Sequence, residues 1–353
     1  MHRLSLTTAV LWTCLVGADA SAQTVPASAT APPPLISHRF LDIQTLNLSI
    51  RYRHIETSAG VVSANHAQHQ ETIRARFTFD AAGRYAIVSG VGTGNTFIGG
   101  WNNAGIGTPN DLALVMSLKQ LYVSAAPITG LDAQYGGLFV ARGDNTEITS
   151  YDNDGYLVGG RLSVKRPDVL ALDELSATVG YLGDTTTPNF LRRTDRLSQA
   201  NYGQLLIAKK FSATFSASAD VTRVDHVRTV RSAFTLKAPE RLGVDLLRVE
   251  GYRRVDSAAS GYAVFAEKAL TTRATVGIGA ANVDLAYGGL NADRFGKGQR
   301  WFANGSVTIV PELSLLAFYQ HAFNNDEPLT NRSRAEIILQ FNALKALQRA
   351  HWY

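Results

Sequence analysis

The sequence predicts an all-β chain, a transmembrane antiparallel up-and-down β-barrel of about 16 strands (roughly 14–18), with short turns at one end and longer loops at the other. Three observations carry that expectation. Segments that alternate apolar and polar residues recur from Thr45 to Phe341. The connections between them tend to alternate short and long. Beyond residue 22 no run of ~18 apolar residues occurs, so no helix is available to cross a bilayer.

The chain opens on a leader. "MHR" is a basic start, "LSLTTAVLWTCLVG" an apolar core, and "ASA" at 20–22 a small-residue cleavage site. Residues 1–22 are expected to be a secretory signal peptide, and Cys14, the one cysteine, falls inside it. The mature chain is left with no cysteine for disulfides, thiolate ligation or nucleophilic attack. Residues 23–44 include the Pro/Ala/Ser-rich "TVPASATAPPPLISHR" and read as a periplasmic N-terminal segment. The mean hydropathy of −0.04 resembles a soluble protein. A barrel gives the same average, because half of each strand faces lipid and half faces water.

The barrel is expected over 45–342, with strand starts near 45, 70, 84, 117, 129, 155, 174, 200, 213, 229, 244, 260, 271, 299, 312 and 332. In "TLNLSIRYRHI", Leu46, Leu48, Ile50 and Tyr52 share one face and Asn47, Ser49, Arg51 and Arg53 the other. In "TIRARFTF", Ile73, Ala75, Phe77 and Phe79 oppose Arg74, Arg76 and Thr78. "ELSATVGY", "ATFSASADVT", "TRATVGIGA" and "RAEIILQF" repeat the pattern, which is the period of a strand and not of a helix.

Soluble sandwiches alternate too, so the connections carry more weight. "DAAGR", "APITG", "KKFSA", "KALTT" and "VPEL" are short; "TSAGVVSANHAQHQ", the stretch from Gly94 to Met116, "GDNTEITSYDND", "GDTTTPNFLRRTDRLSQ" and "NVDLAYGGLNADRFGKGQ" are long. Tyr52, Phe79, Tyr85, Tyr122, Tyr135, Tyr181, Tyr202, Phe211, Tyr252, Tyr262, Trp301 and Tyr319 fall near strand ends, as aromatic girdles would; core packing accounts for any one of them equally well.

The hairpin "LKQLYVSAAPITGLDAQYGGLFVARG" (118–143) resembles one found in Gram-negative outer-membrane porins and alginate-export-type channels, with Lys119 where those carry Arg. The last strand, with Arg334, Leu339 and Phe341, resembles a barrel-assembly signal. The resemblance is architectural and covers roughly 45–341. It implies a non-enzymatic porin in the outer membrane, in contact with lipid and lipopolysaccharide, inserted by the barrel-assembly machinery, passing small hydrophilic solutes and assembling as a homotrimer. One departure is the tail 343–353, "ALKALQRAHWY", which is either a helix or the true end of a shifted last strand.

If apolar faces meet lipid, the opposite faces carry Arg51, Arg53, Arg74, Arg76, Arg161, Lys165, Lys210, Arg231, Lys237, Arg248, Arg273 and Arg334, against Asp132, Asp220, Glu250 and Glu336. A basic lumen favours anions; the bases can instead pair with acids. By the same resemblance the Gly/Asn-rich "GTGNTFIGGWNNAGIGTPND" supplies constriction candidates Trp101, Asn102, Asn103 and Asp111, with a plain surface loop as the other reading.

Asp144, Glu147, Asp152 and Asp154 crowd into one outer loop. Carboxylates suit Ca2+, but Gly155 follows Asp152 by three residues where an EF-hand needs five, and a tight turn explains "YDNDGY" equally. The stretch is expected to form a rim. No cofactor is otherwise implied. His226 adjoins Asp225, but neighbours in a strand point to opposite faces, and no hydrolase motif appears. Strand-spaced bases behind a leader argue against nucleic acid. A plugged structural or adhesive barrel, a saccharide- or anionic-polymer-specific channel, and an outer-membrane hydrolase remain as alternatives.

Overall fold

The computed structural model describes residues 40–94, 100–146, 148–150, 156–183, 187–237, 242–284, 298–323 and 332–352. The leader, residues 23–39, Glu147, Asp152 and Asp154 lie outside the described residues. The strands are β1 (Leu41–Thr57), β2 (Val62–Thr78), β3 (Tyr85–Thr93), β4 (Asn102–Thr108), β5 (Met116–Ala125), β6 (Leu131–Phe139), β7 (Tyr156–Val164), β8 (Glu174–Leu182) and β9 (Tyr202–Lys210). They continue with β10 (Phe215–Val224), β11 (Val227–Lys237), β12 (Leu246–Arg254), β13 (Ser260–Thr271), β14 (Ala274–Val283), β15 (Gly298–Val310), β16 (Leu313–Ala322) and β17 (Arg332–Asn342).

Sixteen of them form a closed antiparallel barrel and β4 is one extra strand. Neighbours in the chain are neighbours in the wall, with β3 beside β5, and β1 closes the ring against β17 through Arg51↔Ile338 and Arg53↔Glu336. Closure pairs the backbone groups that two free edges would leave open.

The alternation has its expected consequence. Leu48, Ile50 and Tyr52 are exposed on the outer wall, whereas Ser49 and Arg51 are buried on the inner one. Val179, Leu205, Ile278 and Ile337 continue the outer apolar surface around the ring. The girdle expectation divides: Tyr52, Phe79, Tyr85, Tyr135, Phe211, Tyr262 and Tyr319 are exposed outward, but Tyr122, Tyr202 and Tyr252 point inward and are buried. They pack into two inward apolar clusters, the first joining Val88, Tyr122, Leu138, Leu157, Leu182 and Tyr202.

Three elements differ from expectation. β2 starts at Val62 and not near 70, because Asn65 to Gln70 extend the ladder with β1 instead of looping out. Residues 102–108, expected in a loop, form β4, which carries on the line of β3 against the upper part of β2 (Asn65↔Thr108, His69↔Asn102). Part of the long connection after β8 is a 3-10 helix, Phe190–Ser198, laid on the outside of the wall. A Cβ on Gly137 would stand 2.7 Å from the Phe190 ring, so glycine there admits the ring against the strand. Tyr135 donates from its hydroxyl to Leu197 O at 3.4 Å, and the Arg196 guanidinium lies 5.1 Å from the Tyr181 ring centre. This cover explains why Val158, on the outward face, is buried.

The tail forms a helix, Ala343–Arg349, capped by the Asn342 side chain accepting from the Lys345 N–H. It is tied to the turn before β16 by Arg349 and Glu312 at 3.0 Å. The Arg349 hydrogen bond holds the Glu312 carboxyl below its ordinary pKa.

Candidate functional site

The segment after β6 does not stay at the rim. Residues 140–146 and 148–150 turn inward and cross the lumen. Gln204 on β9 donates to Ala141 O at 2.7 Å, and the Asp144 N–H donates to Ser218 Oγ on β10 at 2.7 Å. Glu250 on β12 accepts the Thr146 N–H at 2.8 Å and the hydroxyls of Thr146 and Thr149. Ile148, 3% exposed, seats in the second inward apolar cluster with Tyr252, Ala263, Ala281, Val283, Phe302 and Phe318 of β12 to β16.

The sequence explains the inward turn. Gly143 takes the left-handed backbone (φ 59) that reverses the chain, and the Asn145 side chain donates to Arg142 O at 3.0 Å. The single apolar side chain beyond it then finds the apolar part of the far wall. Burying it favours the crossing by ~1.5–3 kcal/mol, and each hydrogen bond to the Glu250 carboxyl contributes about 0.5–1.5 kcal/mol. The rim reading of "TEITSYDNDGY" is therefore corrected for Thr146 and for residues 148–150: period-2 reasoning registers polar residues but not that Ile148 has a matching hole across the barrel.

The wall carries the charge. Glu336 Oε1 receives Arg51 at 3.1 Å, Arg53 at 2.8 Å and Arg334 at 2.8 Å, so three guanidiniums share one carboxylate oxygen. Arg51 also donates to Gln68 at 2.8 Å and lies 4.2 Å from the Trp101 ring centre. Arg231 and Asp220 form a buried pair at 2.8 Å. Arg74 donates to the inward Tyr122 hydroxyl at 2.8 Å, Arg161 to Thr178 at 3.1 Å, and Arg248 to Thr235 at 3.3 Å.

The remaining bases cluster at the turn end. Arg76 donates to Gly83 O at 2.7 Å, Lys165 stands 3.8 Å from Glu174, and Lys210 and Lys237 are exposed at strand ends. Arg273 departs from expectation: it sits in the exposed turn between β13 and β14 and not on the wall, because β14 begins only at Ala274.

Of the constriction candidates, Trp101 reaches Arg51 and is thus placed by the inner wall. Asn102 and Asn103 lie on β4, where they knit the wall: Asn102 donates to Val115 O at 2.9 Å and Asn103 to Asp111 at 2.7 Å. Among the described residues, the loop that crosses the lumen is the one after β6. The described part of the acidic group is Asp144, which is placed by its backbone; among the described residues no three His, Cys, Asp or Glu side chains gather as metal ligands.

Sequence reasoning misses Arg300, Arg332 and Gln320. Arg300 and Gln320 are buried on the inner face. Their signal is present, since Arg300 alternates with Trp301, and Arg332 stands two residues before Arg334.

Chemically the arrangement is a charged, walled passage narrowed by a tethered loop. Solved structures agree with the geometry. OmpF of Salmonella typhi, solved with daunomycin, superposes with a TM-score of 0.55 over 85% of this chain and 97% of its own, at 12% identity. A mutant porin of Rh. blastica gives 0.54 over 86% and 99%, at 11% identity. No protein-family profile and no curated protein matches the sequence. The class this defines is the sixteen-stranded porin-type barrel. At this identity the likeness is one of fold.

Proposed function

We propose that the chain is an outer-membrane porin that passes small hydrophilic solutes by diffusion, prefers anions, and performs no chemistry on them. The observation that carries the reading is the contrast between an apolar outer wall and an arginine-rich inner wall, with three guanidiniums on one carboxylate oxygen. A fixed surplus of positive charge raises the local concentration of anions in a narrow path. Arg51, Arg53, Arg74, Arg161, Arg231, Arg248 and Arg334 line that path; Arg76, Lys165, Lys237 and Arg273 act at its inner mouth. Residues 140–146 and 148–150 form the constriction, with Trp101 facing it.

Export through the leader, insertion by the barrel-assembly machinery, contact with lipopolysaccharide and a homotrimeric state belong to the same proposal. The apolar outer wall supports a lipid setting, since a charge facing lipid at mid-depth costs ~2–4 kcal/mol. The test is swelling of liposomes that hold the refolded chain, in neutral sugars of increasing size. Swelling with a size cutoff is expected. Liposomes with folded protein that stay impermeable to the smallest sugar contradict the proposal.

A further inference from the structure

The outer wall of β9 to β12, at its long-loop end, carries a basic group that the passage does not use. Thr222 and Thr229 are opposite each other and buried inward, so the next pair in the ladder, Arg223 and Arg228, faces outward. Arg253, which follows the inward Tyr252, is opposite Val230 on the same outward face. All three arginines are exposed, and among the described residues no ion pair holds them. The Asp256 carboxylate is taken by Arg254 at 2.5 Å, and Asp225 meets Arg223 through its backbone oxygen at 2.8 Å. Like charges directly opposite in a ladder destabilise it, and an anion between them removes that cost.

Two hollows flank the pair. One, of about 660 Å³, has Val230, Ser232, Gly251, Arg253 and Val255 as its outward lining. A Cβ added at Gly251 would meet the Gly261 carbonyl oxygen at 3.4 Å and otherwise open space. The other, of about 430 Å³, lies over Gly203 and includes Arg223, Asp225 and His226 in its lining. Below the arginines the wall is apolar and exposed, with Val221, Phe234, Val249 and Tyr262. Above them rise the short turns after Val224 and Arg254, which leave space for a bulky headgroup.

We propose that Arg223, Arg228 and Arg253 hold a phosphate of outer-leaflet lipopolysaccharide, with acyl chains lying in the hollows over Gly203 and Gly251. The inference rests on the outer-membrane reading and gives its lipid contact a place on the wall. A basic rim directly over an apolar belt fits a partner that is both phosphorylated and acylated, because the guanidiniums select the phosphate and the hollows select the chains.

Native mass spectrometry of the refolded full barrel in detergent tests this, with lipid A as the probe. A bound lipid is expected, held about tenfold or more tighter than enzymatically dephosphorylated lipid A. Arg223→Gln with Arg228→Gln and Arg253→Gln should erase that preference, and Gly251→Leu, which fills one hollow, should weaken both lipids. Equal binding of the two lipids, or a preference unchanged in the triple variant, overturns the site. A triple variant that changes oligomer mass and not lipid adducts assigns the face to a second copy and also overturns it. The variants should pass sugars in liposome swelling as the wild type does, because the site lies outside the passage. Lipid A held with the expected preference by a barrel that passes no sugar would end the porin reading and leave the site standing.

Discussion

At the scale of residues, the lumen is organised by a few carboxylates. Asp220 and Arg231 are almost wholly buried against each other, 0% and 1% exposed. Asp220→Asn leaves the guanidinium without its counter-charge and should destabilise the barrel by ~3–5 kcal/mol, read as a lowered urea midpoint in vesicles. Restoring neutrality with Arg231→Gln in the same chain should recover part of that loss. Outside the strands, Asp256 is held at about 2, chiefly by the Arg254 hydrogen bond. Its folded value lies below the ordinary 3.8, so its contribution is present above that value and disappears as pH falls through about 2. A carboxyl titration by NMR should show its pKa rising toward the ordinary value in Arg254→Ala; an unchanged value contradicts the pairing.

At the scale of elements, the crossing loop hangs on Glu250 and Ile148. Glu250→Ala removes the acceptor for one N–H and two hydroxyls, and Ile148→Asp places a charge in an apolar hole. Both should release the segment from the far wall and enlarge single-channel conductance while the barrel still folds. Conductance that stays at the wild-type value in both would contradict a narrowing role for the loop after β6. The strands themselves are legible: alternation places most starts within a few residues, because lipid on one side and water on the other dictate period 2. Legibility ends where one environment gives way to another. Asn65 to Gln70 are polar on both faces and look like a loop, yet they are ladder above the apolar belt. The inward loop depends on Ile148 meeting Phe302 and Phe318, residues far away in sequence, and no local pattern encodes that meeting. The outer 3-10 helix likewise depends on Gly137 being bare under Phe190.

At the scale of the whole molecule, the arginines can be read one strand at a time, but their sharing of Glu336 appears only after β1 closes on β17. On the proposed reading, closure converts scattered bases into one surplus of positive charge in a confined space. That surplus is the core of the account, and screening should erode it: selectivity should fall as ionic strength rises from about 0.1 M toward about 1 M, where the Debye length shortens from about 10 Å to about 3 Å. The most direct test is the reversal potential of single channels of the refolded mature chain in a planar bilayer under a potassium chloride gradient. The account predicts stepwise openings with a potential of the sign that favours chloride, reduced in Arg51→Gln with Arg334→Gln. Openings that favour potassium would contradict it.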